Sequence, residues 1–187
     1  MDFFDRVNLA AKVLLGRPSK FNIPIALDNI YHVTCHDKEG NLKWVDIIEN
    51  LVVNTGLDDI LDKYLEGSAY TAAHYLGLTD GTPTVNAADT MASHAGWVEV
   101  VAYDEAVRQT LAWDGVSGQS DDNSESPSVF TVSANSTTIG GAFITTNATK
   151  GGSTGTLYGV GAFTAGDKSL DDDDTITITV TATAAAS

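Results

Sequence analysis

The chain has 187 residues, 43% of them hydrophobic, and sets 10 Lys and Arg against 25 Asp and Glu for a formal charge of -15. That length buries a core as one domain, with or without an appendage, while that charge argues against a nucleic-acid partner, because phosphate contacts need clustered cations. A lone cysteine, Cys35, leaves no internal disulfide and suits a reducing cytoplasm, and no stretch approaches the ~20 apolar residues of a membrane span.

The chain opens on FFDRVNLAAKVLL, residues 3–15, where Phe3, Val7, Ala10, Ala11 and Leu14 fall at helical spacing and Gly16 with Pro18 supplies the stop. Asp2, Asp5, Asn8 and Lys12 interrupt this stretch in a way that does not suit a secretory signal. RPSKFNIPIALDN follows without a period and reads as an extended linker, whose Phe21, Ile23 and Ile25 either lie on another surface or fold back. Arg6, Lys12, Arg17 and Lys20 face only two acids in the first twenty residues, so a basic arm, 1–28, precedes an acidic body, 29–187.

A hairpin is expected from Ile30 to Val53, reversing at Gly40 and Asn41. NTGLDDILDKYLEG then reads as a short helix. Asn54 or Thr55 is its expected N-cap, Asp58 and Asp59 fall in its first turn, Leu57, Ile60, Leu61, Tyr64 and Leu65 form its buried face, and Gly67 terminates it. After AAHYLGLT and a polar crossing with room for one helical turn after Asp89, strands are expected in GWVEVVAY, around VRQTLAW and in SPSVFTVSAN. GVSGQSDDNSESP between them reads as a polar loop.

From Thr138 to Phe163 two apolar runs flank a Gly-rich reversal. Ile139, Ala142, Phe143 and Ile144 form one run and Leu157, Tyr158, Val160 and Phe163 the other, which predicts a hairpin with an exposed NATKGGSTG tip. TITITVTATA alternates Ile176, Ile178, Val180 and Ala182 with threonines, one face for the core and one for solvent or a neighbour. About eight or nine strands at short intervals predict a mainly β chain, an antiparallel β-sandwich of jelly-roll or Ig-like type, with a short inserted helix and an N-terminal helical arm.

Chemistry is harder to find. His32 and His36 flank Cys35, but on a strand they stand ~13 Å apart and the thiol points to the opposite face, so they do not converge on one metal. His74 and His94 read as structural. Asp171–Asp174 lacks the spacing of a calcium loop and reads as a solvated turn or an ion-pair partner for another chain, and Asp121 and Asp122 carry less still. Ser117 lies outside a nucleophile elbow, Lys150 outside a phosphate loop, and GVGAFTAG is not a dinucleotide fingerprint. Trp44, Trp97 and Trp113 sit in apolar segments, as core residues rather than sugar platforms. The expectation is a non-enzyme with no cofactor and no bound metal.

Three segments carry a resemblance: WVDIIENLVVNTGLDDILDKYL, YLGLTDGTPTVNAADTMASHAGWVEVVAYDEAVRQTLAW and GGAFITTNATKGGSTGTLYGVGAFTAGDKSLDDDDTITITVT. From about Leu42 to Ala182 the chain resembles a family of structural proteins from tailed-bacteriophage morphogenesis modules. The resemblance implies a virion protein of the capsid cement or head-decoration kind, assembled in the host cytoplasm and placed on the capsid surface. It implies as partners the major capsid protein or other virion proteins, and self-association, trimers included. It carries no active-site residues. A tail, baseplate or fibre-associated protein is the alternative, and a carbohydrate-binding module the third. With the first goes the expectation that Phe3, Phe4, Arg6, Val7, Lys12, Leu14, Arg17, Phe21 and Ile23 contact the shell.

Overall fold

The computed structural model describes residues 25–69 and 73–186, so the arm's expected helix and its contact residues from Phe3 to Ile23 lie outside the described residues. The longest strands are β1 (Ile25–His36), β2 (Leu42–Val52) and, at the far end of the sequence, β12 (Thr175–Ala186). Between β2 and β12 run α1 (Asn54–Leu61), β3 (His74–Thr79), β4 (Glu99–Val100), β5 (Gln109–Leu111), β6 (Ser120–Asp122) and β7 (Ser128–Thr131). They are followed by β8 (Thr137–Ile139), β9 (Gly141–Thr145), β10 (Leu157–Phe163) and β11 (Lys168–Leu170).

The expected mainly β, antiparallel body is present. In place of two stacked sheets, ten strands form one sheet in the order β4-β3-β9-β10-β2-β1-β12-β6, with β5 also on β3 and β7 also on β12, while β8 pairs β11. Accumulated strand twist curls this sheet into a half-barrel, and the curl brings its ends together. Tyr103 bridges Val132, Asp104 N–H donates to the Thr131 carbonyl at 2.8 Å, and Asp114 N–H to that of Asp122 at 2.8 Å. Tight strand approach depends on glycine: a Cβ on Gly161 of β10 would lie 2.4 Å from Ile48 of β2.

Period-two alternation decides what lies inside. Tyr31, Val33 and Cys35 of β1, Leu76 and Leu78 of β3, and Ile176, Ile178 and Val180 of β12 meet in the concavity, none more than 1% exposed. Phe143, Leu157 and Val160 point the other way, to the convex side of β9 and β10. The connection through residues 80–98 lies over them and inserts Met91, Trp97 and Val85 to complete a second apolar cluster.

Several local expectations are corrected. Residues 25–28, read as the end of the arm, pair with β12 in register from Ile25 opposite Ala186. The polar loop before Ser128 contains β6. The crossing after Asp89 forms no helical turn but a tight reversal in which Thr90 and Ser93 exchange backbone bonds of 3.0 and 3.2 Å. Helix α1 is capped by Val53 without a side-chain bond, and no acid falls in its first turn. Thr55 instead donates to the Leu157 carbonyl at 2.7 Å. The helix packs through Gly56, where a Cβ would lie 2.6 Å from the Tyr158 carbonyl oxygen. Of its expected buried face Ile60 is half-buried, whereas Leu61 is 55%, Tyr64 74% and Leu65 79% exposed. Gly67 does terminate the helical segment, at φ 73°.

Candidate functional site

Among the described residues the convex side of the sheet is covered over β9 and β10 and open over β2, β1, β12 and β7. Register places Val45, Thr34, Thr177 and Val129 in one row across those four strands. Ile47, His32 and Thr179 form the next row. Their strand neighbours Asp46, Ile48, Val33 and Ile178 are buried, so these residues face solvent; Val45 is 64% and Ile47 41% exposed. Neither row contains an acid or a Lys or Arg. The row beyond brings Glu49 opposite Ile30, Ile30 opposite Thr181 and Thr181 opposite Asp122. On a chain of charge -15, this is an uncharged, half-apolar patch with carboxylates along one edge.

A second concave feature opens where α1, the start of β1 and the end of β12 meet. It is a groove of about 540 Å³ whose walls include Leu27, Val52, Ile60, Tyr64, Trp113, Ile144 and Tyr158, with His74 among them. Burial lowers the His74 pKa from its ordinary value, and the Asp59 carboxylate offsets part of that. The Trp113 indole N–H donates to His74 Nδ1 at 3.4 Å. An accepting Nδ1 places the neutral ring's proton on Nε2, and Nε2 is buried without a hydrogen-bond partner. Tyr158 packs edge to face on the same ring, 4.6 Å between centroids, and its hydroxyl donates to Asp59.

A third constellation locks the Gly-rich hairpin. Arg108 is fully buried. It binds Glu99 in bidentate fashion, Nε to Oε1 at 2.9 Å and Nη2 to Oε2 at 2.6 Å, and donates to the carbonyls of Asn147 at 2.8 Å and Gly152 at 2.7 Å. Its guanidinium lies 5.2 Å from the Phe143 centroid. On Phe143 leans Trp97, and on Trp97 stacks His94 at 3.7 Å. Lys150 donates to the carbonyls of Tyr103 at 2.7 Å and Glu105 at 2.8 Å. The tip is exposed as expected at Thr149, Gly151, Ser153 and Thr154, and these contacts hold it at both flanks. No motif announced this cluster: Glu99 opens β4 and Arg108 directly precedes β5, and these two strands pair with β3 rather than with each other.

The other candidates fall into ordinary roles. Cys35 points into the core, where burial pushes its thiol up to about 12, while His32 is exposed on the opposite face. In the acidic run Asp174 is 3% exposed and pairs with Lys43 at 2.5 Å, with Asp171 3.7 Å from the same amine. Trp97 is buried, and Trp44 and Trp113 pack against the main core. Among the described residues no three His, Cys, Asp or Glu side chains converge on a point that could hold a metal, and no helix is long and apolar enough to cross a membrane. No family model, curated protein or solved structure matches the chain.

Proposed function

We propose that this chain is a structural protein of a tailed-phage particle, a capsid cement or decoration protein that binds the shell of the major capsid protein and stabilises the head. The observation that carries this reading is the bare, uncharged patch on the convex side of β2, β1, β12 and β7. A sheet that covers half of its convex side with its own chain and, among the described residues, leaves apolar side chains exposed on the other half offers surface to a neighbour. The basic arm supplies the shell contact through Phe3, Phe4, Arg6, Val7, Lys12, Leu14, Arg17, Phe21 and Ile23, and places the body on the capsid surface. A jelly-roll or Ig-like origin for the curled sheet belongs to the same proposal. Quantitative mass spectrometry of purified particles tests it: copy numbers on the scale of shell subunits support the head, and a handful moves the protein to the tail, baseplate or fibre. Deleting residues 1–28 abolishes incorporation; undiminished incorporation removes the arm from the account.

The groove favours a second reading, a carbohydrate-binding module. Trp113, Tyr158 and Tyr64 supply aromatic surface to its walls. Quenching of tryptophan fluorescence by oligosaccharides, weakened in Tyr64→Ala, would establish it.

A further inference from the structure

We infer that His74 and Trp113 form a proton-operated latch on the wall of the groove: the neutral imidazole holds the indole against the body, and a proton on Nδ1 releases the strap that carries Trp113 and widens the groove. Such a latch needs neither a shell nor a ligand, so it stands apart from both readings of function.

The bond between the two side chains exists in one protonation state only. Trp113 donates its indole N–H to His74 Nδ1 at 3.4 Å. An indole nitrogen only donates, so a proton on Nδ1 sets two donors against each other. The other ring nitrogen offers no compensation, because Nε2 is buried without a hydrogen-bond partner among the described residues, and a buried imidazolium with unanswered N–H groups is costly. On its far side the ring is held. Tyr158 packs edge to face on it, 4.6 Å between centroids, and the Tyr158 hydroxyl is tied to Asp59 of α1. The side that can yield is Trp113. β5 ends at Leu111, directly opposite His74, and Trp113 lies in the connection from there to β6, where Gly115 and Gly118 sit at φ 119° and 59° and Val116 is 78% exposed.

The charges around the ring set the direction. Among the described residues they are Asp59, with Lys63 3.9 Å from it, and Asp121 of β6, which lines the groove and accepts from the Gly115 N–H at 2.8 Å. Tyr64 and Tyr158 are the further ionisable groups of the walls, and the flanking Leu111, Ile144 and Thr145 carry none. Burial lowers the His74 pKa and Asp59 opposes this in part. The latch is therefore closed at neutral pH and opens below the ordinary histidine value of about 6.5.

Heteronuclear NMR of the isotope-labelled full-length chain is the test, with Trp113→Phe identifying the Trp113 indole signal. Between about pH 7.5 and about pH 5 that signal moves with the same midpoint as the His74 ring protons, and its exchange with water accelerates about tenfold or more relative to that of Trp44. The Trp44 signal and the circular dichroism stay as they are at neutral pH. His74→Gln removes the step, and Asp59→Asn, which takes away a carboxylate that favours the proton, moves the midpoint lower. A Trp113 signal that ignores the titration of His74, or follows it without faster exchange, overturns the inference, as does a step that persists in His74→Gln. So does a loss of circular dichroism at the same midpoint, which is unfolding of the whole chain.

Discussion

The two halves of the convex face differ in what holds them. Over β9 and β10 the chain has built its own cover, and a column of stacked groups runs from His94 through Trp97 and Phe143 to the buried Arg108–Glu99 pair. Over β2, β1 and β12 the same sheet ends in exposed Val45, Ile47 and a ladder of threonines. Strand alternation is equally regular in both. The covered half is finished by sequence-distant residues, whereas the bare half has nothing of its own chain above it among the described residues.

The sharpest way to break the contrast is Arg108→Ala. It strands the Glu99 carboxylate and removes donors from the carbonyls of Asn147 and Gly152, a loss of ~3–5 kcal/mol. Urea denaturation checks it; a loss under about 1 kcal/mol would mean that the covered half does not depend on this pair. Gly77→Ala is a smaller insult to the same column, since the new Cβ would lie 2.4 Å from the Phe143 ring. Overpacking of that kind costs ~1–3 kcal/mol, read as a lower melting temperature with unchanged secondary structure.

The groove gives a pH test of intermediate size. Burial lowers the His74 pKa, so the folded state binds the proton less readily than the unfolded chain. The stability this contributes is full above the unfolded value of about 6.5 and is lost as pH falls from there through the folded value. Melting temperature therefore declines below about pH 6.5, and His74→Gln flattens that slope. Asp46 contributes in a lower window. Burial pushes its carboxyl up, but bonds from Lys168 and Thr164 outweigh this and hold it below its ordinary range. Its stability is present above about pH 4 and lost as pH falls further. The smallest effect is expected on the bare half: Val45→Thr changes the stability of the dilute, single chain by no more than ~0.5 kcal/mol. A larger loss would show that this face is not free.

Much of the body was legible because short-range rules govern it. The β1–β2 hairpin follows from alternation and from Gly40, which sits at φ 83°. Pairing of β9 with β10, and opposite faces for His32 and Cys35, follow from the same period of two. The helix was found but its orientation was not. Leu57, Leu61, Tyr64 and Leu65 mark an apolar stripe that elsewhere would be core, yet Gly56 admits the closest approach to β10 and turns that stripe outward. Within the Gly-rich hairpin the sequence showed an exposed tip. Arg108 and Lys150, arriving from other segments, make it an anchored one.

Alternation, turn residues and composition determined by themselves that this is an antiparallel β chain, acidic overall with a basic first stretch, because each of these properties is decided within a few residues. Only the tertiary structure decided that the strands join one curled sheet, that Asp174 answers Lys43 across 131 positions, and that among the described residues one convex half is covered and the other bare. Those outcomes depend on which distant segments meet, and a strand's own pattern distinguishes inward from outward without saying what, if anything, will lie on the outward side.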